Sequence, residues 1–405
     1  MKKILIYLLF IFQTTIICGQ ETNKINQIQD DLKFLASDKL EGRFTGTEGE
    51  KIAAEYIISN FEEFNLQPLG DSNSFIQKFN ALLRLNPHSD IDNKQIIGRN
   101  VIGFYNNNAR NTIIIGAHYD HLGYGEVGSL SPLENQIHNG ADDNASGVAL
   151  MINLIPELIK YTNYNYLFIA FSGEELGLYG STYFAKNPTI NLGKVRFMFN
   201  FDMVGRLNSS RTLLVNGVGT SSQWESLLAK SNIYDFDLKT TPSGFGSSDH
   251  TPFYNREIPV LHFFTGQHED YHKPSDDIEK INFEGIYDIS KYIVNIIKNS
   301  FDILDFDYVE TKSESKETPR FSVTLGIMPD YLSEESGLRI DGVSKDKLAD
   351  RVGILNGDVI VKLGEFDVTD IMTYMKALSN FKSGDKTIVV IYRDEVKKEF
   401  EVIFD

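Results

Sequence analysis

The chain has 405 residues, of which 41% are hydrophobic, 12% aromatic and 23% charged. This mixture allows a buried core and excludes disordered, collagen-like and disulfide-knot proteins, and at roughly 150 residues per domain the length corresponds to about two to three domains. A formal net charge of -17 repels phosphate backbones, so we expect no nucleic-acid binding.

The first twenty residues have the pattern of an export signal. A basic Met-Lys-Lys start precedes a short apolar run from Ile4 to Phe12. We therefore expect a signal peptide over residues 1–20 and an exported protein, periplasmic, outer-surface or secreted, with a retained anchor helix as the alternative. Cys18 is the only cysteine, so no intramolecular disulfide forms. Lipidation of Cys18 is a further alternative, which Ile17 disfavours because lipoprotein signals usually carry a small residue there. No later stretch is long and apolar enough to cross a bilayer.

Strand-like and helical patterns alternate along most of the chain. From Gln29 to Leu69 the pattern is helical, with Thr47 and Glu50 as a capping box. The strand-like runs that follow are Phe75–Leu85, Val101–Tyr105, Thr112–Ala117, Tyr166–Phe171, Arg196–Asp202, Thr212–Val215 and Pro259–Phe264. The helical segments between them are Ser146–Lys160, Leu178–Lys186, Ser222–Lys230 and Phe283–Leu304. This alternation predicts an α/β domain over residues 21–307 with a mixed, largely parallel central sheet.

The composition changes near residue 308. Glu310 to Arg320 is almost entirely charged or hydroxylated, so residues 308–320 are predicted to be a linker. A small β-rich domain over residues 321–405 follows, with one helix at Asp370–Ser379. Its predicted strands are Phe321–Leu325, Val359–Lys362, Thr387–Tyr392 and Glu399–Ile403.

Carboxylate and imidazole side chains follow the predicted strands of the first domain or lie in the loops beside them. They are His118, Asp120, Asp142, Asp143, Glu174, Glu175, Asp202 and His272. Because the carboxyl ends of the strands in an open α/β sheet line one crevice, we expect these side chains to lie at the same edge.

Such a cluster of carboxylates is unstable without cations, because like charges raise one another's pKa and repel. Three carboxylates with two imidazoles suit zinc, and a shared carboxylate can bridge two metal ions about 3.5–4 Å apart. The adjacent Glu174 and Glu175 then divide naturally, since one can ligate while the other remains free as a general base.

Five motifs occur in the order and with the spacing of a known family. They are GAHYD, GADDNASG, FSGEELGLYGS, NFDMVG and YHKPSDD. With the early Leu-Glu-Gly-Arg turn at residues 40–43, they make residues 35–304 resemble the co-catalytic dizinc aminopeptidases of peptidase family M28. The resemblance implies a three-layer sandwich of the zinc exopeptidase type and two Zn²⁺ per chain.

The resemblance also implies a role for each motif residue. His118 and Asp202 would hold one zinc, Glu175 and His272 the other, and Asp143 would bridge both, because it directly precedes Asn-Ala-Ser-Gly. Glu174 would be the general base in the hydrolysis of peptides with a free N-terminus, Tyr271 would stabilise the oxyanion, and Asp120 would orient His118. The Asp143–Asn144 peptide bond is cis in relatives.

Other polar residues are assigned less specific roles. The Ser248-Asp249-His250 segment resembles a family segment beside the substrate pocket, for which packing is as good an explanation as substrate contact. His262 is interpreted as a core or supporting histidine, and Arg206 as a contact to substrate or to a neighbouring acid. The remaining histidines, His88, His121, His138 and His268, are interpreted as surface or loop residues.

The C-terminal domain resembles a PDZ domain. The resemblance rests on residues 323–327, on the Gly-Asp-Val-Ile step at 357–360 and on the helix near 372–378. It implies a C-terminal peptide ligand bound at Leu325, Gly326 and Ile327, with a packing or dimerising domain as the alternative. For the whole chain, the alternatives are a glutaminyl cyclase or carboxypeptidase on the same scaffold, or a non-catalytic receptor that uses its PDZ-like part.

Overall fold

The computed structural model describes most of the chain beyond the predicted leader. The described residues are 21–84, 93–131, 133, 135–311, 323–329, 336–343, 347–369, 371–394 and 396–404. The predicted signal peptide with Cys18, His88, and residues 312–320 of the predicted linker lie outside the described residues. Within the described part of the chain, every helix is too short or too polar to cross a membrane.

A nine-stranded mixed sheet forms the centre of the first part of the chain. Its strands are β1 (Gln67–Pro68), β2 (Ile76–Arg84), β3 (Asn93–Tyr105), β4 (Thr112–His118), β5 (Asn165–Phe171), β6 (Val195–Phe201), β7 (Thr212–Asn216), β8 (Asp237–Thr241) and β9 (Val260–Phe264). The order is β1-β3-β5-β4-β6-β9-β7-β8, and β2 pairs with β3. The central pairs β4–β5, β4–β6 and β6–β9 are parallel, whereas β3–β5 and β7–β9 are antiparallel. This confirms the predicted α/β fold with a mixed sheet.

Helices cover both faces of this sheet. They are α1 (residues 21–35), α2 (Glu48–Glu63), α3 (Gly147–Leu158), α4 (Tyr179–Lys186), α5 (Trp224–Ser231), α6 (Thr251–Tyr254) and α7 (Phe283–Asn299). On β4, Ile113 and Ile115 pack into the core with α2, α3 and α7, while Ile114 packs into the core on the other face. Strands buried on both faces must be apolar at every position, which explains the continuous apolar runs in the sequence.

The predicted helical stretch from Gln29 to Leu69 is interrupted. The backbone turns between α1 and α2 through a 3₁₀ segment, Asp38–Arg43, in which Glu41 and Gly42 have positive φ. Thr47 caps α2 by accepting a hydrogen bond from the Glu50 backbone N–H (3.4 Å). The reciprocal half of the predicted capping box is not formed, because the Glu50 carboxylate instead accepts from the backbone N–H groups of Gly46 and Arg99.

The C-terminal part has its own sheet and its own core. Its strands are β10 (Ile327–Pro329), β11 (Leu338–Val343), β12 (Val359–Leu363), β13 (Phe366–Asp367), β14 (Lys386–Arg393) and β15 (Val396–Ile403). The order is β10-β11-β12-β14-β15 with β13 paired to β12, and the helices are α8 (Leu348–Val352) and α9 (Ile371–Leu378). The sequence patterns did not predict β11, β13 or α8. The predicted first strand was placed too early, since the described residues 323–326 are not in a strand.

Candidate metal centre

Three neighbouring parallel strands deliver most of the candidate site residues to one edge of the central sheet. Strand β4 ends at His118 and lies between β5, which leads to Glu174 and Glu175, and β6, which leads to Asp202. The carboxyl ends of parallel strands meet at the same edge, so these side chains converge. Asp143 reaches the edge from the segment before α3, and His272 reaches it from the loop after β9. The structure thus brings together all five residues predicted to bind metal.

The distances between the donor atoms fall into two sets that share Asp143. His118 Nε2 lies 3.4 Å from Asp143 Oδ1 and 3.3 Å from Asp202 Oδ1. His272 Nε2 lies 3.3 Å from Asp143 Oδ2 and 3.1 Å from Glu175 Oε2. Two ligands on one tetrahedral zinc ion, at bonds of about 2.0–2.1 Å, stand roughly 3.3 Å apart. Each set therefore has the spacing of ligands on one zinc ion, and His118, Asp202, Asp143, Glu175 and His272 are the residues that would hold metal.

Burial destabilises the negative charges of this cluster, so that bound cations would stabilise it. Burial raises the pKa of Glu174 well above that of an ordinary glutamate, and the charges of Asp202 and Glu175 raise it further. Burial lowers the pKa of His118, but the carboxylates of Asp202 and Glu174 outweigh it and hold the pKa well above its usual value. Both shifts favour the protonated forms of Glu174 and His118 in the metal-free chain, and bound cations would oppose these shifts.

Asp120 links two members of the cluster. His118 Nδ1 lies 3.2 Å from the backbone carbonyl oxygen of Asp120 and 3.7 Å from its Oδ1, so the closer orienting contact comes from the main chain. The carboxylate itself accepts a hydrogen bond from the Glu174 backbone N–H (3.2 Å) and another from the Thr45 hydroxyl (3.0 Å). Asp120 thereby positions the Glu174 segment and leaves His118 Nε2 facing the cluster.

The segment that carries Asp143 is held in place by a buried ionic network. The Asp143–Asn144 peptide bond is cis, as the sequence resemblance implied. Asp276 Oδ2 accepts hydrogen bonds from the backbone N–H groups of Asp142 (2.9 Å) and Asp143 (3.0 Å). Arg206 Nη2 lies 3.2 Å from both Asp276 Oδ1 and Asp270 Oδ2. Of the two roles considered for Arg206, the structure shows the contact to neighbouring acids.

Arg43 is a second buried support for the same segment. Its guanidinium donates to the backbone carbonyl oxygens of Leu35, Tyr119, Asn139 and Gly140, at 2.6 to 3.1 Å. These carbonyls belong to α1, to the loop after β4 and to the segment that leads to Asp143. Burial lowers the pKa of Arg43 to about 10, against the opposing effect of Asp143 and other nearby acids. The side chain fixes the two loops relative to each other through backbone contacts.

Two further predicted residues lie beside the ligand set. The Tyr271 ring stacks on His272 with centroids 3.9 Å apart and packs against Met203 and Phe264. Ser248 Oγ donates to Asp202 Oδ2 (2.7 Å), so the Ser248-Asp249-His250 segment supports a candidate ligand.

His262, His121 and His138 are buried histidines outside the two donor sets. His262 is 9% exposed, as expected for a core or supporting residue, and stacks on His250. His121 and His138 lie in a loop, as predicted, but neither is at the surface, since both are fully buried. His138 bonds within its own loop, to Ser129 Oγ and the Gln136 carbonyl oxygen. His121 Nδ1 lies 2.7 Å from Glu175 Oε1, at the cluster itself. Polar residues in a glycine-rich loop show no periodicity from which burial can be predicted. The only sequence signal for the contact between His121 and Glu175 is that His121 follows the candidate ligand His118 by three residues.

This fold and this paired donor set define a zinc exopeptidase-type domain. Residues 100–297 match peptidase family M28, and residues 323–404 match the PDZ domain family. The chain therefore carries an M28 peptidase domain followed by a PDZ domain.

Several known proteins are similar to this chain. Aminopeptidase YwaD of Bacillus subtilis is 31% identical in an alignment of 225 residues that covers 53% of this chain and 46% of that protein. The chain spans about half the length of the sequence relatives it matches. Among solved structures, BSAP, a zinc aminopeptidase from Bacillus subtilis, has a TM-score of 0.56 at 20% identity, covering 68% of this chain and 95% of that one. The glutaminyl cyclase of Porphyromonas gingivalis has a TM-score of 0.53 at 16% identity, covering 69% and 97%. At these identities the structural likeness concerns the fold.

Proposed function

We propose that this chain is an exported metallo-aminopeptidase that removes N-terminal residues from peptides, with two zinc ions and Glu174 as the general base. The observation that carries the proposal is the pair of donor sets, each with donor spacings of 3.1 to 3.4 Å, that share the two oxygens of Asp143. The similarity to aminopeptidase YwaD supports the same activity. The predicted signal peptide supports export.

The residues of the site have distinct tasks in this reaction. Two zinc ions, when bound, would supply Lewis acidity that polarises the scissile carbonyl and acidifies a water molecule. Glu174 takes the proton of the attacking water and passes it to the leaving amine, a task for a carboxylate that lies beside the donor sets and belongs to neither. Asp120 holds the Glu174 backbone in place. Tyr271, beside His272, is proposed to stabilise the oxyanion, and the surrounding carboxylates suit the α-ammonium of the substrate.

Glutaminyl cyclase activity is the second candidate, because the cyclase from Porphyromonas gingivalis shares the fold. We expect a glutaminyl cyclase on this scaffold to use one zinc ion, whereas the aminopeptidase would use two. The complete second donor set, with His118 Nε2 3.3 Å from Asp202 Oδ1, favours the two-zinc peptidase. Metal analysis of the purified chain distinguishes the two, since the peptidase requires close to two zinc ions per chain.

Glu174→Gln tests the base assignment. The variant should retain two zinc ions and release N-terminal residues from aminoacyl-arylamides about 10²- to 10⁴-fold more slowly, because general base catalysis is lost. Glu175→Gln is the matched control and should lose zinc as well as activity, since Glu175 Oε2 belongs to a donor set. Undiminished turnover by Glu174→Gln, at full zinc content, would refute the assignment. Absence of turnover by the wild-type enzyme would favour the non-catalytic alternative.

For the PDZ domain we propose a C-terminal peptide ligand at Leu325, Gly326 and Ile327. The support is local: Gly326 has φ +74°, and among the described strands β10, which begins at Ile327, is the last one at its end of the sheet. Such an edge accepts an added strand, while loop N–H groups bind the peptide carboxylate. Peptides with free and amidated C-termini should differ in affinity; equal binding, or none, would favour a packing domain.

A further inference from the structure

His121 is a buried imidazole that lies at the cluster but belongs to neither donor set. It is 0% exposed, and its Nδ1 lies 2.7 Å from Glu175 Oε1. The other oxygen of that carboxylate, Oε2, faces His272 Nε2 at 3.1 Å. Glu175 is therefore held at both oxygens, by a different imidazole on each.

The distances separate the roles of these two imidazoles. Two ligands on one zinc ion stand roughly 3.3 Å apart, which agrees with the His272 contact. The 2.7 Å between His121 Nδ1 and Glu175 Oε1 is a hydrogen-bond length, and Asp143 Oδ2 is 3.9 Å from the same nitrogen. Since an ionised carboxylate only accepts hydrogen bonds, Nδ1 carries the hydrogen of the ring and donates a hydrogen bond to Oε1.

The surrounding backbone is shaped around the His121 ring. Gly140, at φ +53°, faces the ring so closely that a Cβ there would lie 2.5 Å from His121 Cδ2 and 2.6 Å from Cγ. The His121 backbone N–H donates to the Arg43 carbonyl oxygen (3.3 Å), which fixes the start of the loop. His121 is thus locked between the Arg43 turn and the segment that carries Asp143.

We propose that His121 is a positioning residue that sets the zinc affinity of the Glu175–His272 donor set. By donating to Oε1, it keeps Glu175 turned with the single oxygen Oε2 toward His272 and Asp143. This inference rests on the proposed two-zinc function. Loss of such a hydrogen-bond partner of a metal ligand typically lowers metal affinity 10- to 100-fold.

The test compares zinc binding by the full metal-stripped chain and its variants, by competition with a chromophoric chelator. His121→Ala should weaken one of the two zinc sites 10- to 100-fold and leave the other, which contains His118 and Asp202, unchanged. His121→Asn should recover most of the loss, since its amide nitrogen occupies the place of Nδ1. His121→Gln should not, since its amide nitrogen lies where Nε2 was.

His138→Ala is the matched control. It removes a fully buried histidine of the same loop whose ring bonds only Ser129 and Gln136, and both zinc sites should keep their affinity. Unchanged affinity in His121→Ala, or equal rescue by Asn and Gln, would overturn the proposal. A wild-type chain with one zinc site would instead overturn the two-zinc function, so the two failures are distinguishable.

Discussion

Replacement of Asp276 by asparagine tests how far the buried ionic network controls the metal centre. Asp276 uses Oδ2 for the backbone N–H groups of Asp142 and Asp143, and Oδ1 for Arg206. The single amide oxygen of asparagine can accept either from the two backbone N–H groups or from Arg206. The NH₂ group of the asparagine then faces the hydrogen-bond donor on the other side.

The magnitude follows from these contacts. At least one hydrogen bond to a buried charge is lost, worth about 1.5–3 kcal/mol, and two donors are left opposed. Removing one partner of a buried ion pair costs about 3–5 kcal/mol, but Arg206 keeps Asp270, so we expect the free energy of unfolding to fall by about 3 kcal/mol. The Asp143 backbone N–H loses either its acceptor or the ion pair with Arg206 that fixes this acceptor, so zinc affinity should also fall, about 10- to 100-fold.

Asp270→Asn is the matched control for Asp276→Asn. Asp270 also contacts Arg206 Nη2 at 3.2 Å, but it does not hold the Asp142–Asp143 backbone in the hydrogen bonds described. Unfolding is followed by the fluorescence of Trp224, the only tryptophan, which is buried in the core of the first part. We expect both variants to lose stability and only Asp276→Asn to lose zinc affinity. Equal zinc affinity in the two variants would refute the coupling.

Three other predictions concern stability and metal. Burial raises the pKa of Asp31 from 3.8 to about 6, so its contribution to stability is full below pH 3.8 and is lost as the pH rises through 6. The difference in the free energy of unfolding between Asp31→Asn and the wild type, measured by denaturation with Trp224 fluorescence, should therefore shift by about 2 kcal/mol in favour of the variant between pH 4 and pH 7. A difference that does not depend on pH would contradict this. Chelation should lower the unfolding temperature, and added Zn²⁺ but not Mg²⁺ should restore it, since imidazole donors suit zinc; restoration by Mg²⁺ would contradict the zinc assignment. Arg43→Lys keeps the charge but cannot span four carbonyls, so chemical denaturation should show a loss of about 1.5–3 kcal/mol, whereas wild-type stability would exclude the support role.

The apolar strands were predictable because their burial leaves a pattern in the sequence of each strand. A strand covered on both faces must be apolar at every position, as β4 and β5 are, and polar residues directly after such strands lie at one sheet edge. Hence His118, Glu175 and Asp202 were predicted together, although no two of them are close in sequence.

The C-terminal part was predicted less well. Its strands β11 and β13 are short or partly polar, so alternation did not reveal them, and the first strand was placed before Ile327. The capping box at Thr47 was half wrong because Glu50 finds stronger partners in Ser172 and Arg99, on other elements.

The amino-acid sequence alone determined most strands of the central sheet, though not β1 or β8, and which acids and imidazoles follow them, because burial on both faces makes those strands apolar at every position. Only the tertiary structure decided how those groups are held. Asp276 binds the backbone of Asp142, from which it is separated by 134 residues in sequence, and His121 binds Glu175, which is 54 residues away. A contact between two loops depends on where the fold places them, which the local sequence does not show. A buried polar side chain in a loop also belongs to no periodic pattern from which its burial could be predicted.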